Sequence, residues 1–319
     1  MASLRDAVRY NGLFWRKFAY LGCVYGPEWW KTYSPGPIGA IVYTLIAPNR
    51  RAAIQNMQRV LGVHDARLVR RAAIGMFAQF ARCFAESMEY YGPRPHPIRF
   101  DVPEVDPLGE ALERGRGAVV VTGHFGNWDV AAKGLHSYGR PMNLVMAHEQ
   151  NQSTHEFVRV AREQVGVRVI YSDSSVFSSL NMIRALRSNE IVAIQLDRAE
   201  SAGGTRLVPF FGAPATFPSG PFVLARLAGA PVIPVFVPRL GRRHYAVRIG
   251  EQIEVPKDGK GQATIDRAML QAVQAFEATV REFPTQWFRF TPFWPEDAVA
   301  SEPQPSERDL RRAAMRARS

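Results

Sequence analysis

The sequence predicts an α/β protein: a central, largely parallel sheet flanked by helices, preceded by an N-terminal helical segment. Three observations predict it. Up to residue 95, apolar side chains recur at helical spacing. From residue 96, short β-rich runs alternate with longer amphipathic stretches, the rhythm of strands joined by crossover helices. The 319 residues are 46% hydrophobic and 22% charged, enough apolar material to cover both faces of a sheet, which excludes disorder as the main state.

The elements follow in order. Arg51–Leu61 and Ala66–Tyr91 carry the helical periodicity, and Gly92-Pro93 ends it. Strands are expected at Ala118–Thr122, Asn143–Met146, Val167–Tyr171, Ile191–Leu196 and Pro231–Val237, where β-branched and aliphatic residues cluster. Between them Trp128–His136, Thr154–Val165, Val176–Arg187 and Gly220–Leu227 read as helices. His244–Val255 alternates like an exposed edge strand, and Ile265–Phe283 is a long amphipathic helix. The run Ala213–Pro221, with its three prolines and Gly220, reads as a conformationally restricted loop. The organisation is therefore a helical segment over 1–95, an α/β domain over 96–295 and a solvated basic tail over 296–319.

Forty Lys and Arg against 29 Asp and Glu give a net charge of +11. Residues 1–80 hold eleven of the cations and three of the acids, a net of +8. Such a surface suits polyanions, either nucleic acid or an anionic membrane. Phe14, Trp15, Phe18, Tyr20, Tyr25, Trp29, Trp30 and Tyr33 lie among Arg16, Lys17 and Lys31. Rings mixed with cations fit the headgroup layer, so the N-terminal segment is expected to associate with an anionic membrane surface. Prolines interrupt the two long uncharged runs, 32–49 and 207–225, so neither is expected to span a bilayer, and charges break up the first twenty residues too early for a secretory signal.

Several chemistries fail on spacing. Gly115-Arg-Gly117 precedes its strand instead of following it, so it cannot seat a dinucleotide on a helix N-terminus. No Walker loop or Gly-x-Ser-x-Gly elbow is present, and His148-Glu149 and His155-Glu156 lack a second histidine four residues on. With only Cys23 and Cys83, a disulfide framework and a cysteine-rich zinc site are excluded, and neither a catalytic metal nor a cofactor is expected. No nucleic-acid-binding motif accompanies the charge, so nucleic acid is not an expected partner.

The chemistry concentrates in Val119–Val130, VVVTGHFGNWDV. An apolar strand ends at Thr122-Gly123, a turn carries His124 and Asn127, and a helix begins at Trp128. Five steps along one helix would put His124 and Asp129 about 140° apart. With His124 on the strand-end loop and Asp129 on the first helical turn, the chain folds back and the carboxylate reaches an imidazole nitrogen. An oriented histidine of this kind is a general base for a hydroxyl. Backbone N–H groups of residues 123–127 are expected to hold a developing oxyanion. The plain structural alternative makes Asn127 and Asp129 helix caps and His124 a loop histidine.

His124-Phe-Gly-Asn-Trp-Asp129 resembles the His-x4-acid signature of the bacterial lipid A biosynthesis acyltransferases, within the wider lysophospholipid acyltransferase group. The resemblance runs from about Arg50 to Trp294. Arg50–Asn56, Arg162–Gly166, Asp197-Arg198, Val208–Gly212, Gly220-Pro221 and Pro284-Thr-Gln-Trp287 match its ordered blocks. Asp129 stands where many lipid A enzymes have Glu, and Asp197-Arg198-Ala199 replaces an Asp-Gln-Asp. The resemblance implies transfer of a fatty acyl chain from an acyl carrier protein or acyl-CoA to a hydroxyl of a membrane lipid, foremost a lipid A precursor or similar glycolipid. It implies a peripheral or monotopic enzyme on the cytoplasmic face of a bacterial inner membrane. His124 and Asp129 would be catalytic; Asn127, Arg162, Asp197, Arg198, Phe211 and Gly212 would bind substrate, with Phe210 and Phe211 walling an acyl channel. Rival readings are a thioesterase that turns the same pair on water and, more remotely, a basic nucleic-acid-binding protein.

Overall fold

The computed structural model describes residues 13–93, 95–136, 138–146, 167–171, 176–198, 204–257 and 261–295. The expected helix at 154–165, Arg162 and the tail from 296 lie outside them.

Five helices come first among the described residues: α1 (Leu13–Tyr25), α2 (Glu28–Tyr33), α3 (Pro35–Leu45), α4 (Ala47–Leu61) and α5 (Ala66–Tyr90). Their ends have local causes. Pro48 sits in the first turn of α4, where no N–H is needed, and Gly62 closes that helix in the left-handed region. The Asp65 carboxylate caps α5 by accepting the N–H groups of Arg67 and Leu68 at 2.8 and 3.2 Å.

The α/β portion follows with β1 (Arg99–Asp101), α6 (Pro107–Glu113), β2 (Ala118–Thr122), α7 (Trp128–His136), β3 (Met142–Met146) and β4 (Val167–Tyr171). It continues through α8 (Val176–Arg187), β5 (Ile191–Gln195), β6 (Thr205–Phe210), β7 (Ala213–Pro218), α9 (Gly220–Ala228) and β8 (Val232–Phe236). The last elements are β9 (Arg239–Gly241), β10 (His244–Ala246), β11 (Arg248–Ile249), α10 (Gly261–Glu282) and a 3₁₀ turn, Pro284–Gln286.

The central sheet is mixed, in the order β11-β8-β2-β5-β3-β4, antiparallel only where β11 meets β8. Alternate side chains of β2 enter different cores. Val119 and Val121 join the α8, α9 and α10 residues Leu186, Phe222 and Phe276, while Val120 faces Leu108 and Leu112 of α6 and Leu135 of α7. All three valines are essentially fully buried, each contributing about 1.5–3 kcal/mol. The first core also takes in Tyr43, Met57 and Met76, so the N-terminal helices pack into the same interior as the sheet.

Two expectations are corrected. His244–Val255 is not one edge strand: β10 pairs with β1 and β9 in a separate small sheet, while Arg248–Ile249 joins β8 and Ile253 bridges Val232 of β8 further on. The proline-rich stretch is not a loop but half of the β6–β7 hairpin. Phe211 and Gly212 form its two-residue turn with φ of 49° and 76°, the left-handed pair that matches strand twist. Hydrogen-bonded and non-hydrogen-bonded pairs alternate outward from Phe210↔Ala213. Pro209, Pro214 and Pro218 therefore occupy positions whose N–H would point away from the ladder, and no internal bond is lost.

Candidate active site

Strand β2 ends at Thr122, and the chain turns through Gly123, His124, Phe125, Gly126 and Asn127 into α7. Beside it β5 ends at Gln195, in register with Thr122. Two residues past each paired end stand His124 and Asp197, so parallel neighbours with a common register deliver both side chains to one place. The Leu196 N–H reaches the Thr122 carbonyl at 2.7 Å and extends the pairing to the site.

Asp197 is almost fully buried and accepts three donors. His124 Nδ1 lies 2.8 Å from one carboxylate oxygen, the His124 backbone N–H is 3.0 Å from both, and the Trp287 indole N–H is 3.0 Å from the other. Burial opposes ionisation of this carboxyl, but the His124 charge and hydrogen bond, the Trp287 indole and the Arg289 guanidinium outweigh it and hold Asp197 below the usual carboxylate range. An ionised carboxylate only accepts, so Nδ1 carries a proton, and in the neutral imidazole Nε2 presents its lone pair. The imidazole also meets the Trp128 ring edge-on, centroids 5.2 Å apart.

The turn beneath the imidazole is clamped. Gly126 donates to the Gln286 carbonyl at 2.9 Å, Asn127 N–H to Val237 at 3.0 Å, and the His124 carbonyl accepts Phe288 N–H at 2.7 Å. Gly126 has φ 57°, and a Cβ there would lie 2.0 Å from the Val237 carbonyl oxygen, so no other residue fits. These contacts narrow the expected oxyanion site: the N–H groups of His124, Gly126 and Asn127 already serve Asp197, Gln286 and Val237.

The expected partner of His124 is corrected too. Asp197, not Asp129, holds Nδ1. Asp129 lies on the first turn of α7, where its carbonyl faces the Tyr91 hydroxyl at 3.5 Å and its residue lines a cavity with Thr122 and Trp128. The Asn127 side chain points inward instead of toward a substrate. Its Oδ1 accepts the Ser87 hydroxyl and Val130 N–H at 2.8 and 3.2 Å, and its Nδ2 donates to the Cys83 carbonyl and Tyr245 hydroxyl at 3.1 and 2.9 Å. Phe211 and Gly212 are placed at the hairpin tip; the Phe211 N–H donates to Glu277 at 2.6 Å and Arg281 covers its ring. Phe210, its neighbour, is the ring that packs against Trp287, at 5.5 Å. Arg198 is exposed beside Asp197, and Arg162 is outside the described residues.

Trp287 and Arg289 had no expected role at the site. Pro284-Thr-Gln-Trp287 marks the segment, but only the fold shows that its indole lands on Asp197 and that Arg289 donates to the Asp197 carbonyl at 2.9 Å. A small apolar cavity lined by Asp129 and Trp128 lies against Val120, Leu144 and Ala193, with about 30 Å³ of room, enough for about two waters. Among the described residues one group has metal-ligand spacing, Glu28, Glu89 and His96, and its acids are already met by Lys31, Arg242 and Arg243.

Residues 7–295 match the family model described as bacterial lipid A biosynthesis acyltransferase. The chain belongs to that family. As an acyltransferase of this family, it is similar to the phosphatidylinositol mannoside acyltransferase of Mycolicibacterium smegmatis, 27% identical over 248 residues, 76% of this chain and 79% of that protein. The phosphatidylinositol mannoside acyltransferase of Mycobacterium tuberculosis is 26% identical over 269 residues, 83% of this chain and 80% of its own. The acyltransferase thus carries a buried His–Asp pair at the strand ends of an α/β sheet, where open sheets of this kind place their ligands.

Proposed function

We propose that this acyltransferase moves a fatty acyl chain from an acyl thioester to a hydroxyl of a sugar-headed membrane lipid, with His124 as general base. The observation that carries the reading is the Nδ1 contact with buried Asp197, which leaves Nε2 basic. Nε2 takes the proton of the acceptor hydroxyl as its oxygen attacks the thioester carbonyl. The tetrahedral intermediate then expels the thiolate, which recovers the proton from the imidazolium. Asp197 holds the tautomer and stabilises the imidazolium. The relatives' names favour a glycosylated phospholipid over lipid A as acceptor.

We place the enzyme at an anionic membrane surface. No helix among the described residues is long and apolar enough to cross a bilayer. On α3, however, Ile38, Ile41 and Leu45 are exposed along one face, while Gly36, Gly39 and Tyr43 are buried on the other. Trp29 and Tyr33 extend the exposed apolar surface on α2. Large rings and aliphatics presented together on short helices suit shallow insertion among headgroups.

The test incubates the purified protein with acyl-CoA or acyl carrier protein thioesters and vesicles holding a phosphatidylinositol mannoside, a lipid A precursor or neither. Thiol release that requires one lipid, with one acyl mass added to it, is the expected result. Release indifferent to any lipid would overturn transfer in favour of hydrolysis.

A further inference from the structure

Behind the His124 turn a closed circuit of buried polar groups joins three parts of the chain. The Asn127 amide donates to the Tyr245 hydroxyl, which donates to Glu86 on α5. Glu86 receives the Arg239 guanidinium at 2.8 and 3.0 Å and the Arg243 N–H at 3.2 Å. The Arg239 backbone is held in both directions by the Gln286 side chain, N–H to Oε1 at 2.7 Å and carbonyl to Nε2 at 2.9 Å. The Gln286 carbonyl returns to Gly126 N–H. Glu86, Ser87, Asn127, Tyr245 and Gln286 are all buried, so each bond is shielded from water and each group is expensive to leave unmatched.

We propose that Tyr245, Glu86 and Ser87 are positioning residues for the transfer reaction, fixing the His124 turn through the side chain of Asn127. None of them is hydrogen-bonded to His124 or Asp197, whose partners among the described residues are each other, Trp287, Phe288 and Arg289. The backbone from Gly126 to Asn127 is gripped from the Gln286 side by its N–H and from the α5 side by its amide. The two grips meet at the Glu86–Arg239 ion pair. A turn held at both ends keeps Nε2 at one distance from the reacting hydroxyl, and a misplacement of about 1 Å can cost a hundredfold in rate. The same ring explains why Asn stands at 127: four bonds to two donors and two acceptors require both ends of an amide.

This inference rests on the reading of His124 as the base, so His124→Ala is measured beside Tyr245→Phe and Ser87→Ala. Tyr245→Phe loses a hydroxyl from the circuit and Ser87→Ala the hydroxyl that donates to Asn127 Oδ1, and Ser87→Ala keeps an ordinary helical residue should Tyr245→Phe fail to fold. The expected result is a kcat lowered about ten- to a hundredfold in Tyr245→Phe and by less in Ser87→Ala, with KM unchanged for both substrates. The proton resonance of His124 Nδ1–H should move in both. A purely structural role would lower the thermal midpoint and leave kcat per folded molecule and that resonance untouched; this result would overturn the proposal. Retained turnover in His124→Ala would instead remove the base itself, a separate failure.

Discussion

Asp197→Asn tests the site most sharply, because its consequences can be worked from the contacts. The carboxylate offers two oxygens to three donors: His124 Nδ1, the His124 backbone N–H and the Trp287 indole. An asparagine has one oxygen and one NH₂ in the same space. If the oxygen faces Nδ1, the NH₂ confronts the indole N–H. If it turns to the indole, the NH₂ donates to Nδ1 and drives the imidazole proton to Nε2, the wrong tautomer. In the first arrangement the buried indole N–H loses its acceptor, at about 1–3 kcal/mol; in the second the tautomer is wrong; in both the charge that stabilises the imidazolium is gone. The corresponding neutralisation in a serine-protease triad lowers kcat about 10⁴-fold, or roughly 5.4 kcal/mol at 1.36 per decade. We expect a loss of about 10³–10⁴ in kcat here, with KM little changed and a lowered thermal midpoint. Thiol release under saturating donor and acceptor measures it, with circular dichroism to show the fold. A folded Asn variant within tenfold of wild type would refute the argument that Asp197 serves His124. Asp129→Asn, whose carboxylate is not the Nδ1 partner, should fall much less.

Ala193 on β5 is buried against the small apolar cavity, so Ala193→Phe should overpack it and lower the thermal midpoint, at about 1–3 kcal/mol; thermal unfolding reads it out. Burial first, and then Glu89 against Lys31, push the Cys23 thiol up to about 11, so about a thousandth is thiolate at pH 8 and alkylation should be correspondingly slow beside a model thiol. Lys31 above all, with Arg242 and Arg243 acting against partial burial, brings Glu28 down to about 2. Its folded pKa is depressed, so the ties from α2 to Arg242 and Arg243 add stability above about pH 4.5 and lose it as pH falls toward 2. Carboxyl carbon shifts through an acid titration should show the low midpoint.

Much of the fold is legible in the residues because local rules act locally. The β-rich runs at 118–122 and 167–171 and the helix at 176–187 stand where the alternation places them. What is not legible depends on strand order. Sequence places His124 five residues from Asp129 and 73 from Asp197, and nearness along the chain favours the wrong acid. Only the pairing of β2 with β5, Thr122 opposite Gln195, brings the distant carboxylate to Nδ1. Trp287 is harder still, since it arrives from beyond α10 through a 3₁₀ turn. The hairpin escaped because prolines usually forbid strands; three of them at outward positions do not.

Those prolines have a consequence for association between chains. Leu207 is exposed on β6, and a two-stranded ribbon with bare edges invites a third strand from a neighbour. On β7 the outward-facing amide positions are Pro214, Thr216 and Pro218, so an incoming strand would find a single hydrogen to accept along the whole edge. On β6 the position nearest the turn is Pro209, leaving Thr205 and Leu207. The ribbon is nearly mute as a template. Copies of this protein crowded to high local density therefore collide edge to edge without being stitched together into β-linked aggregates.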